Sequence, residues 1–280
     1  MDKLVLHPST KKTIDLAIGS VSQAIVLVGP KGLGKKSLAK YITSRLLDSI
    51  AVDQHPNVYF VRILPDKKNI SIDEVRKLNS FLALKVASSS QTNRAVIIED
   101  AQTMTAEAQN AILKLIEEPP SGTVFILTVT HEQDLLPTIL SRVQQIRVAK
   151  PTKAELLKAV KQSDEEHFNS LYSISDGKPG LLFSLLNDTG HPFAEALEVT
   201  RNLITQPVYQ RLLLMESLSK DKQRLSAVIS LLLQMAHAGL RSGKNTDRWQ
   251  KIYQTSYEAK GNLEANAQTK LVVLQLMLNL

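Results

Sequence analysis

Residues 25–37, IVLVGPKGLGKKS, decide the fold. Ile25-Val26-Leu27-Val28 is an apolar run of strand length. Gly29, Pro30, Lys31, Gly32, Leu33 and Gly34 make a loop, and Lys35-Lys36-Ser37-Leu38-Ala39-Lys40-Tyr41-Ile42 has helical spacing. Strand, glycine loop and helix in that order, with Gly29-x4-Gly34-Lys35 at the junction, form a phosphate cradle. The glycines let the backbone curl so that successive N–H groups point inward, and the helix N-terminus adds positive potential. Lys35 is expected on the β- and γ-phosphates of a nucleotide. The next place calls for Ser or Thr, whose hydroxyl binds Mg²⁺ in a hydrolysing site, and here it is Lys36. Ser37 follows one residue late, about 100° further round the helix. The competing reading is a plain Gly/Pro/Lys connection between a strand and a helix.

A second stretch weighs against that plain reading. Arg94-Ala95-Val96-Ile97-Ile98-Glu99-Asp100-Ala101 is a continuous apolar run ending in acids. It reads as a buried parallel strand with carboxylates at its C-terminal edge, where open α/β sheets bind ligands. In a phosphate-cradle protein the first acid holds Mg²⁺ and the second polarises the attacking water. Glu99 in the first place is one methylene longer than usual and Asp100 in the second is one shorter. Two acids could also simply cap a helix. Thr123–Thr130 is another buried strand that ends in hydroxyls. Thr130, rather than Thr128, is the candidate to touch a γ-phosphate or the attacking water, with a strand-end cap as the alternative.

Composition sets the outer limits. With 280 residues, 43% hydrophobic and 22% charged, the chain has the make-up of an ordinary globular protein of about two domains. Zero cysteines exclude disulfides, thiolate zinc sites and cysteine nucleophiles. No apolar run reaches the length of a membrane span and Met1-Asp2-Lys3 leads into no signal-peptide core, so the expected location is the cytoplasm, away from membranes. The formal charge of +7 permits an acidic partner or nucleic acid and establishes neither.

The remaining elements follow the same pattern. A helix is expected from Ser9 or Thr10 through Ile18, with Gly19 as its stop and His7 as a packing or capping residue. The helix of the glycine loop is expected to run over 35–50, and Val58–Ile63 reads as a second strand. Ser71 and Glu74 stand at capping-box spacing before Val75, Leu78 and Leu82. Residues 87–93 read as a polar connection. Thr103–Glu118 is a helix stopped by Pro119-Pro120, Leu135–Arg142 a short helix, and Gln144–Val148 the last strand. Residues 151–188 and 191–280 are helical, the latter as Phe193–Ile204, Tyr209–Leu218, Arg224–Ala238, Asp247–Ala259 and Glu264–Leu280. Arg241, Lys244 and Arg248 around Trp249 fit a solvated helix end better than a nucleic-acid platform.

Several of these residues together resemble a known family: the glycine loop, Ile98-Glu99-Asp100-Ala101, Glu107–Lys114, Glu117-Glu118-Pro119-Pro120, Thr123–Leu127 and Leu136-Pro137-Thr138-Ile139-Leu140-Ser141-Arg142. They are similar to the AAA+ clamp-loader subunits of bacterial DNA polymerase III, the delta-prime and gamma/tau group. The resemblance implies an α/β fold: an AAA+ P-loop parallel-sheet core over 1–150, a helical lid over 151–190 and an all-α collar over 191–280. It implies ATP as the nucleotide, gamma/tau and delta subunits and a ring-shaped sliding clamp as partners, and primed DNA reached through the assembled complex. It also implies that Arg142, in the Ser-Arg motif, reaches across to a neighbour's ATP, with a surface salt bridge as the alternative.

Departures from the family pattern favour delta-prime over the hydrolysing gamma/tau type. Lys36 replaces the magnesium-binding hydroxyl and puts Mg²⁺ in question. The acid order is reversed. Gly180 stands where the active members carry a second-sensor arginine. A further departure concerns both groups alike: the four-cysteine zinc module is absent, which removes any expectation of zinc. The expected function is a non-hydrolysing stator that lends Arg142 to an adjacent ATPase. The alternatives are a working DNA-dependent ATPase of gamma type or, further off, an unrelated P-loop kinase or transport ATPase.

Overall fold

The computed structural model describes residues 4–20, 22–64, 67–84, 92–160, 165–186 and 192–280. The chain divides into two compact units, Met1–Glu155 and Leu156–Leu280.

The first unit is built on five parallel strands: β1 (Ala24–Val28), β2 (Val58–Val61), β3 (Arg94–Ile98), β4 (Thr123–Val129) and β5 (Gln144–Arg147), in the spatial order β2-β3-β4-β1-β5. Every residue of β1, β3 and β4 is buried, as an interior parallel strand covered on both faces requires. Alternation along each strand then divides the core in two. Val26, Val28, Val96, Ile98, Phe125 and Leu127 pack with α3 (Ile72–Leu82) and α4 (Ala106–Glu117). Ile25, Leu27, Ala95, Ile97 and Ile126 pack with α1 (Pro8–Gly19) and α2 (Lys35–Leu46). Each aliphatic side chain withdrawn in this way contributes about 1.5–3 kcal/mol. The strand registers bring the ends of β1, β3 and β4 to one edge: Val28 lies opposite Val129, and Ile98 opposite Leu127.

Some element ends differ from the sequence reading, each for a local reason. Helix α1 starts at Pro8, not Ser9 or Thr10, because Pro8 suits the first helical turn and the His7 ring nitrogen Nδ1 accepts the Ser9 N–H at 3.2 Å. The capping box at Ser71 does not form. Glu74 turns instead to Lys77, 2.7 Å away, and the Ser71 hydroxyl makes no side-chain cap. The helix expected from Thr103 begins at Ala106, after a 3-10 turn over Ala101–Thr103, with Thr105 Oγ1 accepting the Ala108 N–H. Helix α5 is the single turn Pro137–Leu140. Most of the polar connection at 87–93 lies outside the described residues.

The second unit is helical. It comprises most of α6 (Lys153–Ala159), then α7 (Glu165–Ser175), α8 (Pro179–Leu186), α9 (Pro192–Thr205), α10 (Val208–Leu213), α11 (Met215–Lys220), α12 (Lys222–Ser242), α13 (Thr246–Glu264) and α14 (Thr269–Asn279). The expected helix Tyr209–Leu218 is two short ones meeting at Leu214. The expected start at Glu264 falls inside α13. Asn266, with φ 59°, takes the left-handed conformation that ends one helix before the next begins. Leu225, Val228, Ile229 and Leu232 of α12 are core residues, so the apolar face they form is internal. Helix α14 is different. Val272, Val273, Leu276 and Met277 are buried, yet Leu271 and Leu278 are exposed, as are Tyr209 and Leu213 of α10.

The basic cluster near Trp249 is engaged structurally. Arg241 pairs with Asp176 at 3.0 Å, and Arg248 donates to the Ile204 carbonyl. The Trp249 ring sits where a side chain at position 239 would be, only 2.3 Å from the place of a Cβ, so Gly239 is what lets α13 close on α12.

Candidate functional site

The glycine loop leaves the C-terminal end of β1 and turns into α2 at Gly34, whose φ of 77° belongs to the left-handed region that glycine enters without strain. Leu33 anchors the loop from below, buried in the core shared with Leu38 and Ile42. Pro30, Lys31 and Gly32, ahead of it in the loop, are solvent-exposed. Ser37 is solvent-exposed on the first turn of α2.

Lys35 is buried, and its Nζ donates to the carbonyls of Gly29 and Pro30. Burial lowers its pKa. The Asp100 carboxylate acts in the opposite direction, and the ammonium groups of Lys31 and Lys36 lower it further. Lys36 points to the carboxylates at the end of β3. Its Nζ lies 3.1 Å from Glu99 Oε2 and 3.1 Å from Asp100 Oδ2. Burial alone would lower the Lys36 pKa, but hydrogen bonds to Asp100 and Glu99 outweigh it and the pKa is raised.

The acid pair is held from behind. Asp100 has φ 51° and ψ 52°, an uncommon backbone state for a residue with a side chain. Its N–H donates to Thr128 Oγ1 at 2.9 Å, and its own carbonyl accepts from the Thr103 N–H and hydroxyl. Thr128 is therefore committed to fixing the turn. The Thr130 hydroxyl, at the adjoining strand end, is a buried atom with no hydrogen-bond partner among the described residues.

These donors do not fit Mg²⁺. The place after Lys35 supplies an ammonium instead of a hydroxyl, and that ammonium already bridges the two carboxylates a metal would need. Phosphate is a different matter, since the curled backbone and the start of α2 suit an anion.

Gly29, Pro30, Lys31, Gly32, Gly34, Lys35, Lys36, Glu99, Asp100 and Thr130 thus gather at one edge of the sheet, but Arg142 does not join them. It follows α5 and precedes β5, whose first residue Gln144 pairs with Ile25 near the start of β1. At about 3.3 Å per residue, the four residues of β5 alone separate it from the loop edge by roughly 13 Å. Arg142 Nε lies 2.7 Å from Glu117 Oε1, at the end of α4, and Nη1 donates to the Thr138 carbonyl and the Ser141 hydroxyl. Both members of the ion pair are well exposed, and the pair forms within one chain. Gly180 lies in α8, in the second unit.

Sequence reasoning missed two features. The Lys36 contact with Glu99 and Asp100 joins residues far apart in the chain. Its only signal was a basic residue at the metal-binding place together with two acids at a strand end. The Thr128 tie to Asp100 had no signal beyond a hydroxyl in an otherwise apolar strand.

Comparison with known proteins places this geometry in a lineage. The family described as "DNA polymerase III, delta subunit" matches residues 10–152. The DNA polymerase III subunit delta-prime of Pseudomonas aeruginosa is 29% identical over 209 residues, 67% of this chain and 63% of that protein. The Haemophilus influenzae protein of the same name is 25% identical over 201 residues, 65% of this chain and 60% of that one. The matched stretches thus span about three-fifths of those relatives. A DNA polymerase III gamma subunit-related protein from Thermotoga maritima has a similar structure, with a TM-score of 0.55 at 20% identity over 96% of this chain and 97% of that one. At that identity the likeness shows the fold.

Proposed function

The chain belongs to the DNA polymerase III, delta subunit family, and on that premise we propose that it works as a delta-prime-like clamp-loader subunit, a stator that lends Arg142 to the nucleotide of a neighbouring ATPase. The observation that carries the reading is the placement of Arg142. It stands at the sheet edge opposite its own glycine loop, exposed and held by surface contacts alone: the pair with Glu117 and hydrogen bonds to the Thr138 carbonyl and the Ser141 hydroxyl. A guanidinium so placed has no part in chemistry at its own loop, and it is free to neutralise charge developing on the γ-phosphate of an adjacent subunit.

The loop edge supports the non-hydrolysing half of the proposal. Catalysis of phosphoryl transfer is chiefly positioning and charge neutralisation. Here the carboxylates that would manage metal and water are engaged by Lys36. A gamma-type ATPase needs those carboxylates available, so the same contact weighs against that alternative. Residues 151–190 then form the lid and 191–280 the collar, where the exposed Tyr209, Leu213, Leu271 and Leu278 suit contact with further subunits. The partners in this reading are gamma/tau and delta subunits and the sliding clamp, with primed DNA reached through the assembly in the cytoplasm. Among the described residues no helix is long and apolar enough to cross a membrane.

The deciding experiment reconstitutes the chain with gamma/tau and delta subunits and measures clamp- and DNA-stimulated ATP turnover. Arg142→Ala is expected to assemble normally and lower turnover. Undiminished turnover in that assembly removes the in-trans role. Steady hydrolysis by the isolated chain, abolished by Lys35→Ala, removes the stator.

A further inference from the structure

We propose that Lys36 is the resident cation of the glycine-loop site, holding Glu99 and Asp100 in place of a divalent metal, so that the loop receives the phosphate chain of a nucleotide uncomplexed by metal. The inference rests on the phosphate-cradle reading of the loop and is independent of the role given to Arg142.

Three observations carry it. The first is geometric. An ammonium 3.1 Å from each of two carboxylates makes two charge-assisted hydrogen bonds, which brings together acids on successive residues that would otherwise repel. A divalent ion entering there would have to displace a covalently tethered cation. The second is the surrounding charge. Lys31 and Lys36 both bear on Lys35 in a loop whose two facing carboxylates are both taken by Lys36. Lys35 meanwhile rests on backbone carbonyls of the loop itself, donating to Gly29 and Pro30. The unanswered charge is positive, and a free triphosphate, more negative than its magnesium complex, answers it better. The third is the Thr130 hydroxyl, buried at the strand end beside the acid strand with no hydrogen-bond partner among the described residues. It is a polar atom with unfilled capacity at the same sheet edge.

In an ordinary phosphate-cradle protein magnesium lies between phosphate and carboxylate, and chelation weakens nucleotide binding. Here the link between loop and acids is covalently part of α2. Adding magnesium removes free nucleotide from solution without creating a better ligand.

The test is equilibrium binding of a fluorescent ATP analogue to the full chain, followed by anisotropy in excess EDTA and in excess magnesium. The expected result is an affinity in EDTA that equals or exceeds the affinity in magnesium. In Lys36→Thr, which restores the hydroxyl and frees the acids, the order should reverse, with magnesium tightening binding about tenfold or more. If magnesium tightens binding to the unsubstituted chain by about tenfold, the resident-cation proposal falls and the phosphate cradle stands. If the unsubstituted chain binds the analogue under neither condition, the proposal and the cradle reading both fall, and the Arg142 assay is unaffected. The comparison within the unsubstituted chain decides the matter even if Lys36→Thr does not fold.

Discussion

At the C-terminal edge of the sheet one lysine answers two carboxylates that are mostly withdrawn from water, whereas at the N-terminal edge one arginine leans on a single exposed carboxylate and a carbonyl. The same kinds of charge are present at both edges, but they are held with different firmness. A partly buried pair that loses its counterion leaves uncompensated charge behind, while an exposed pair is replaced by water at little cost. The edge that looks like an active site is therefore the fixed one, and the edge that looks like ordinary surface is free to change partners.

Breaking this contrast should have effects of very different size. The largest belongs to the free edge in an assembly: Arg142→Ala should reduce ATP turnover of the reconstituted complex by at least about 100-fold, while the thermal midpoint of the isolated chain hardly moves. Next comes the support of the fixed edge. Thr128→Val leaves the Asp100 N–H without its acceptor in a strained turn and should cost about 1–3 kcal/mol in denaturant unfolding.

Lys36→Met should cost less, about 1 kcal/mol, because Lys36 is half exposed and solvent screens its pairs. Its pH dependence has a definite sign. The folded-state pKa of Lys36 is raised above the ordinary 10.5, so its contribution is fully present at neutral and mildly alkaline pH. It disappears as pH rises through the raised value. The stability gap between Lys36→Met and the unsubstituted chain should close there, and a gap that widened instead would contradict the pairing.

Thr130→Val should leave stability unchanged or improve it by up to about 1 kcal/mol, since it removes a buried hydroxyl with no partner among the described residues. Any loss it causes should appear in nucleotide affinity. The smallest effect is expected of Glu117→Gln, a few tenths of a kcal/mol in unfolding, typical of an exposed pair. A loss above about 1 kcal/mol would mean that Arg142 is as firmly fixed as Lys36.

What could be read in advance follows from how local each cause is. The buried runs Ile25–Val28, Ala95–Ile98 and Val124–Val129 specify interior parallel strands by themselves, and the glycine spacing specifies the turn after the first of them. The placement of Glu99, Asp100 and Thr130 along one edge follows once those strands are parallel. What stayed hidden was the choice among competing partners. Glu74 had both a capping role and Lys77 within reach and took Lys77. Asn266 and Leu214 interrupt helices whose apolar periodicity runs through the break. Lys36 could have pointed to solvent, and only the closeness of α2 to the end of β3 turns it toward the acids.

The close fit of an indole on Gly239 has a practical consequence. The chain contains one tryptophan, and it lies in the helical unit, so emission excited in the red edge of its absorption watches the α12–α13 contact and is blind to the sheet. Circular dichroism averages over both. A melt followed by the two signals in one cuvette asks directly whether the halves of this molecule come apart as one cooperative system or in succession.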